Sequence, residues 1–356
     1  MFEDLLDETG RFMVETADRM LADLCGPEVL KAADAGEWPE APWAAVSEAG
    51  FDRATLPEDR GGAGLTLAEA LPLAAVAARH AAPLPLAETL LAGHVLGSTG
   101  LPAPEGLVVL AAGPGALLRP EGSGWRLHGR IASVPWGERA DAVVLVADGA
   151  EGPRLCVLDR TERRAEPGSN MANEPRDTLI FDLRLDDVRT APFVGGTETV
   201  LRLAALARSV QIAGALDRLR DMTVQYAQER VQFGRPLGRF QAIQQNVAVL
   251  ASDAAAAEAA AAVGLLGVSD ARAVAVAKAR TGEAASRAAG IAHQVHGAMG
   301  FAREHRLHHL TRRLWSWRDE YGNELHWQAA LGNTLLRHAP EDLWPVLTTI
   351  GRRAAR

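Results

Sequence analysis

The chain has 356 residues, 48% of them hydrophobic, with a formal net charge of -8 at pH 7 and two cysteines. That length can build two or three packed layers, and the negative balance argues against nucleic acid as a general partner. No apolar run reads as long enough to span a bilayer; the acidic start MFEDLLDETGRF lacks a signal-peptide pattern, and Cys25 and Cys156 show no metal or redox spacing, so a reducing cytoplasm is the expected compartment. Residues 1–104 read as helical. FMVETADRMLADL repeats apolar residues at helical spacing, and WPEAPWAAVSEAGF is a short helix ended by Gly50. The GGAG stretch that follows reads as a plain connector or as a ligand loop. In TLAEALPLAAVAARH, Thr66 is a candidate N-cap with Glu69 as its capping-box partner, and LPLAETLLAGHVLGSTG gives another helix. Residues 105–195 change texture. LVVLAA, WRLHGRIASV, DAVVLVAD, RLCVLDR and LIFDLRL are short, rich in Val, Leu and Ile, and separated by Gly, Pro and Asp, the pattern of an antiparallel β domain. Residues 196–356 are helical again, with one long helix from TVLRLAALARS to VQYAQER and two alanine-dense helices joined by GVSD, whose axes can approach closely. A last helix is expected over ELHWQAALGNTLLRHA. The expectation is therefore an α+β multi-domain chain: N-terminal α-helical domain, middle antiparallel β domain, C-terminal helical bundle.

The stretch YAQERVQFGRPLGRFQAIQQ, Tyr226 to Gln245, carries the most chemistry. Arg230 closes one helix, where a cation suits the negative end of the dipole. Phe233 and Gly234 begin a turn, Pro236 stiffens it and Gly238 ends it. Phe240 opens the next helix beside Gln241, Gln244 and Gln245. A fixed turn with one guanidinium and several amides suits a large polar cofactor, because a guanidinium can grip a pyrophosphate with two parallel hydrogen bonds. The same residues would also make an ordinary helix hairpin with a solvated Arg.

This stretch resembles the R-x-x-F-G-x-x-(I/L)-x-x-F-Q signature of acyl-CoA dehydrogenases. QVHGAMGF, Gln294 to Phe301, resembles the family's Q-x-x-G-G-x-G-F, with Ala298 in place of the second glycine. LPEDRGGAGLTLAEA, Leu56 to Ala70, is similar to its N-terminal L-P-E-x-x-G-G-x-G-x-x-x-x-E. The three stand in family order and cover most of the chain. The resemblance implies a C-terminal four-helix bundle through which subunits associate, an FAD cofactor, and dehydrogenation of an acyl-CoA thioester, with electrons leaving to an electron-transfer flavoprotein or similar acceptor. It implies that Arg230, Gln232 and Phe233 touch FAD across a subunit interface, with Gln241 in the same set. Gln294, Gly297 and Gly300 would contact its adenine side. In WRLHGRIASVPWGERADAVVLV, similar to the family's flavin-facing β segment, Ser133 and Trp136 would stand nearest the ring, although Trp136 could equally be core.

Removing hydrogen from the α and β carbons of a thioester needs a carboxylate for the α proton, a flavin for the hydride and donors for charge on the carbonyl oxygen. In most of the family the base follows the glycine motif by about twenty residues. Here that region is LWSWRDEYGNELHW, and Glu320 is the first candidate and Asp319 the second. Tyr321 intervenes before Gly322, which shifts the register by one. Arg318, Asp319 and Glu320 could also be a salt-bridged helix end. The alternative base position on the long helix is Ala204, which closes that route. Ala205 stands where many relatives have an arginine, and Arg208 is one turn further on. His293, His296, His305, His308 and His309 follow no zinc pattern and read as packed or solvated; Trp315, Trp317 and Trp327 read as packing.

One departure stands out. The family's T-E-P-x-x-G-S-D type segment is missing between Leu107 and Trp125. The subunit-crossing half of the flavin site is kept and the other half is not. The chain thus resembles the shortened subunit of heteromeric acyl-CoA dehydrogenases of bacterial sterol side-chain breakdown, which implies a second, longer acyl-CoA dehydrogenase-like partner in a heterotetramer. Two other readings stay open: a catalytically silent subunit that completes its partner's site, and a flavin oxidase or monooxygenase of the same fold.

Overall fold

A computed structural model describes residues 2–351. The N-terminal part holds α1 (Glu8–Leu24), α2 (Pro27–Asp34), α3 (Glu40–Glu48), α4 (Leu67–Arg79) and α5 (Leu86–Gly97). Local chemistry sets their ends. The Asp7 carboxylate accepts from the Gly10 N–H at 2.7 Å and caps α1. Glu69 reaches back to the Thr66 N–H at 2.8 Å, but the Thr66 hydroxyl donates to the same carboxylate at 2.7 Å instead of capping the Glu69 N–H, so only half of the expected capping box forms.

The middle part is a sheet of β1 (Val108–Ala111), β2 (Ala116–Glu121), β3 (Gly124–Pro135), β4 (Ala142–Gly149), β5 (Arg154–Asp159), β6 (Arg164–Glu166), β7 (Arg176–Leu185) and β8 (Thr190–Pro192). The order is β6-β7-β3-β2-β4-β5-β8, with β1 on β4. The expected antiparallel pairing holds at β3/β7 and β4/β5, but β1/β4 and β2/β4 run parallel, so the sheet is mixed. Inward side chains such as Val109, Leu127, Leu145 and Phe181 form one core with Trp38 and Trp43 packed against it.

The C-terminal part holds α6 (Gly196–Glu229), a small ribbon of β9 (Val231–Gln232) and β10 (Arg235–Pro236), α7 (Gln241–Leu266), α8 (Ala271–His296), α9 (Leu307–Asp319), α10 (Glu324–Leu335) and α11 (Leu343–Thr348). The fold is thus an N-terminal helical part, a middle β sheet and a C-terminal helical part. The chain forms two compact units, one of residues 1–32, 72–82 and 205–356, the other of 33–71 and 83–204. In the first, Ile212 and Leu216 of α6, Ala254 and Ala257 of α7, Ala285 and Ala288 of α8, and Leu310, Leu314 and Trp317 of α9 share one buried cluster. Alanine on α7 and α8 permits that closeness. Gly214 permits more: a Cβ there would collide with the Ala75 carbonyl oxygen, so α4 and α6 touch backbone to backbone.

The reading that no run could cross a membrane needs correction. By length and composition α6 and α7 both could, because alanine and scattered single charges leave the mean apolar over a full span. The most apolar stretch of α6 is 83% buried inside the fold.

Candidate functional site

The Arg230 stretch is a two-residue hairpin. Gln232 pairs with Arg235, leaving Phe233 at φ 53° and Gly234 at φ 79° as the turn. Positive φ at both central residues is the turn geometry that matches the twist of a ribbon. The Leu237 N–H donates to the Arg230 carbonyl at 2.9 Å and closes the base. Phe233 is 92% exposed; its ring meets Phe240 edge-on at 6.1 Å, and the Arg235 guanidinium lies 4.2 Å over Phe240. Arg230, Gln232 and Gln241 are exposed. Among the described residues, no carboxylate pairs with Arg230.

The second motif ends α8. Gly297 adopts φ 58° and ψ -139°, a region closed to side chains, and a Cβ there would meet open space. Gly300 is buried, where a Cβ would press on Leu307 at 2.9 Å. Gln294 is exposed. Tyr226, in the last turn of α6, stacks on His296 at 4.4 Å. That stack brings the hairpin and the Gln294–Gly300 loop to one end of the bundle, although about sixty residues of chain separate them in sequence. A free guanidinium, exposed amides and open space over Gly297 fit the polar half of a dinucleotide. The histidines behave as packing groups: His293 stacks on Phe301 at 4.6 Å and on Trp315 at 5.7 Å, and its Nε2 lies 3.0 Å from the Thr311 hydroxyl. Burial lowers the pKa of His293, His296 and His305. Trp317 and Trp327 are buried.

The candidate base lies at the end of α9, a helix absent from the sequence reading. Asp319 is the last helical residue, with its side chain 64% exposed. Glu320 follows as the C-cap and points inward, its carboxylate accepting from Arg208 Nε at 2.6 Å. The Arg208 side chain is 3% exposed and also donates to the Gln211 amide oxygen, and its guanidinium lies 5.6 Å from the Tyr321 ring. Glu320 and Arg208 thus form a largely buried ion pair. Tyr321 at φ 58° and Gly322 at φ 95° then reverse the chain. Arg318 pairs with Glu324, and Trp327 Nε1 donates to the Tyr321 carbonyl at 3.1 Å.

Sequence reasoning missed Lys278. Its side chain, in the middle of α8, is fully buried, and Nζ donates to the carbonyls of Arg318 at 2.6 Å and Gly322 at 2.7 Å. Burial pulls its pKa down to about 7, against the pull of the Glu320 carboxylate. The signal was present: in AVAVAKARTGEAA the helical neighbours of Lys278 are Val274, Ala275, Thr281 and Gly282, an uncharged face, whereas Arg280 has Glu283 three residues on.

Ser133 and Trp136 belong to the other unit. The pairing of β3 with β7 shifts between Ile131 and Val134, and Ser133, at φ 57°, occupies that bulge with its side chain exposed. Trp136 is 5% exposed, with the Arg176 guanidinium 5.4 Å over its ring, so the indole is held in the core.

Two family models match: acyl-CoA dehydrogenase, N-terminal domain, over residues 7–102, and acyl-CoA dehydrogenase, C-terminal domain, over residues 196–318. The acyl-CoA dehydrogenase IpdE2 of Mycobacterium tuberculosis is 33% identical over 312 residues, covering 86% of this chain and 91% of that protein. Among solved structures, the ChsE4-ChsE5 complex from Mycobacterium tuberculosis superposes with a TM-score of 0.85 at 22% identity, over 94% of this chain and 99% of that one. The Tcur3481-Tcur3483 steroid acyl-CoA dehydrogenase variant gives 0.80 at 25% identity, over 93% and 98%. The motifs, the fold and these likenesses agree, and the chain belongs to the acyl-CoA dehydrogenase family of flavoproteins.

Proposed function

We propose that the chain is one subunit of a heteromeric, FAD-dependent acyl-CoA dehydrogenase that removes hydrogen from the α and β carbons of a sterol-derived acyl-CoA. The observation that carries this is the Tyr226–His296 stack, which sets Arg230 and Gly297 at the same exposed bundle end. In this reading Arg230 grips the pyrophosphate of FAD held mainly by a longer partner subunit. Gln232, Gln241 and Gln294 donate to its polar edges, Phe233 covers it, and the bare backbone at Gly297 lets it come close, while buried Gly300 lets the loop pack on Leu307 behind that surface. On the sheet unit, Ser133 with its exposed side chain would be a flavin contact in its own right, whereas Trp136 is buried. The bound flavin supplies the hydride acceptor.

The proton is the task of this chain's carboxylates. Glu320, already turned inward, takes it from the α carbon, and Asp319 is the outer alternative. Arg208 holds Glu320 in place beforehand, and must release it as the proton arrives. Electrons then leave to an electron-transfer flavoprotein or similar acceptor. The name of the Tcur3481-Tcur3483 steroid enzyme, together with the two-protein ChsE4-ChsE5 complex, supports a sterol substrate and a second subunit.

The Arg208–Glu320 pair also favours a second reading. A carboxylate already neutralised by a buried guanidinium is poorly placed to accept a proton, as expected of a silent subunit that only completes its partner's site. Co-expression with a longer acyl-CoA dehydrogenase-like subunit tests both. The first reading expects a yellow complex, loss of flavin with Arg230→Ala, and loss of turnover with Glu320→Gln. Full FAD occupancy of the chain alone would overturn the heteromeric site. Unchanged turnover in a complex carrying both Glu320→Gln and Asp319→Asn would establish the silent subunit.

A further inference from the structure

We propose that Lys278 is the positioning residue of the candidate base: from the middle of α8 its nitrogen clasps the carbonyls of Arg318 and Gly322, which bracket Asp319–Tyr321, and so fixes where the Glu320 carboxylate stands. The inference rests on the reading of Glu320 as the base. Several observations meet here. The clasp joins residues 40 and 44 apart in the chain, at 2.6 and 2.7 Å. The Arg318 carbonyl is one of the last of α9, a group with no partner within its own helix. The segment it brackets ends on Tyr321 at positive φ, a conformation that a bulky side chain keeps only where surroundings enforce it. A fully buried ammonium is costly unless it is hydrogen-bonded, and a methionine would fill the same space without that cost. The lysine is therefore explained by what it holds.

The charges that face it come from every side. Glu320 and Asp319 face it from the bend, Glu324 from α10 and Arg208 from α6. α7 meets α8 one residue before the lysine with bare glycine, Gly264 against Ala277. When protonated, Lys278 adds a second positive charge near Glu320 to that of Arg208. A neutral amine still has two N–H groups, enough for both carbonyls. Deprotonation therefore keeps the bend in place and leaves Arg208 as the remaining cation on Glu320. Burial, with Arg208 adding to it, brings that change to about pH 7.

The test uses the FAD-loaded complex with its longer partner. Lys278→Met is expected to keep flavin content and assembly, to lower kcat by about a hundredfold for a misplacement near 1 Å, and to leave KM within about threefold. The rise of kcat with pH through about 7 should disappear. Lys278→Arg, which keeps donors and charge, should restore part of the loss. Hydrogen exchange reads the clasp without any turnover: in Lys278→Met the amides of residues 319–323 should lose protection by about tenfold or more, while α7 keeps its own. Wild-type protection at those amides overturns the clasp. Turnover retained in Glu320→Gln overturns the base, so the two failures are separable. Should Lys278→Met not assemble, Lys278→Gln, with one amide in place of the ammonium, is read the same way. A kcat independent of pH from 6 to 8.5 in the wild-type complex, at saturating substrate, overturns the charge effect.

Discussion

Replacing Glu320 by Gln removes a carboxylate that accepts from Arg208 Nε while keeping nearly the same shape. The guanidinium side chain is 3% exposed and the carboxylate 17%, at 2.6 Å. Breaking a buried pair by removing one partner costs about 3–5 kcal/mol, because the other charge stays in the interior. Water reaches the Glu320 side of this pair, and the Gln211 oxygen continues to accept from the guanidinium, so a loss of about 2–3 kcal/mol is expected. Removing both charges together, as Arg208→Met with Glu320→Gln, should return most of that stability, since an apolar side chain avoids the desolvation that the pair had to offset. With Arg208→Met measured alone as the second single variant, the double-mutant cycle should give a coupling of about 2 kcal/mol or more. Urea unfolding followed by far-ultraviolet circular dichroism measures it. With a slope of about 2 kcal/mol per molar, Glu320→Gln should lower the midpoint by about 1 M and the double variant by much less. The two units need not unfold together, so the transition is assigned by hydrogen exchange at α8. A coupling below about 0.5 kcal/mol would refute the claim that Arg208 and Glu320 act as one buried unit.

Three further outcomes are expected. Gly297→Ala meets no neighbour, yet must adopt a backbone region that a Cβ excludes; it should cost about 1–3 kcal/mol in unfolding and reduce flavin retention in the complex. Phe233→Asn, at a positive φ that Asn tolerates better, should leave stability unchanged or raise it by up to about 1 kcal/mol, while lowering FAD affinity measured by flavin release. Burial lowers the folded-state pKa of His293, His296 and His305, so between those values and about 6.5 the unfolded chain binds more protons. Their contribution is complete above pH 6.5 and is lost as pH falls through that window, which melting curves of the helical unit against pH should record.

Local features were legible and distant pairings were not. Thr66 and Glu69 are three residues apart and obey half of a rule that short spacing contains, and Gly50 stops its helix by the φ of 73° that glycine permits. The hairpin at Phe233 was readable as a turn from glycine and proline, though not as paired strands, because two-residue strands leave no period to read. β2 escaped because Arg119, Pro120 and Glu121 resemble loop residues; they face outward while Ala116 and Leu118 fill the core. No alternation of residues announces that β1 runs parallel to β4, since the same inward and outward pattern serves either direction. α9 was hidden by its histidines and arginines: Leu307, Leu310, Leu314 and Trp317 keep helical spacing beneath them. Arg208 and Glu320 are 112 residues apart. Only tertiary packing of the helices that carry them brings them together, and no local spacing announces it.

The two halves of the proposed flavin site differ in how far this chain's own energetics account for them. The bend at Glu320 is held from within, by Lys278, by Arg208 and by Trp327. The hairpin is not. A phenylalanine at positive φ pays a backbone cost, and one that is 92% exposed recovers none of it by burial. Phe301, at the neighbouring loop, is also 73% exposed, without the positive φ. Apolar groups of this size on a strained turn are retained where something else covers them. For a chain that lacks the Thr-Glu-Pro segment, a dinucleotide seated largely on a second subunit would supply that cover. The strain at Phe233 would then be offset only in the assembled complex, so the amides of residues 231–235 should gain protection on assembly with FAD and gain none when FAD is added to this chain alone.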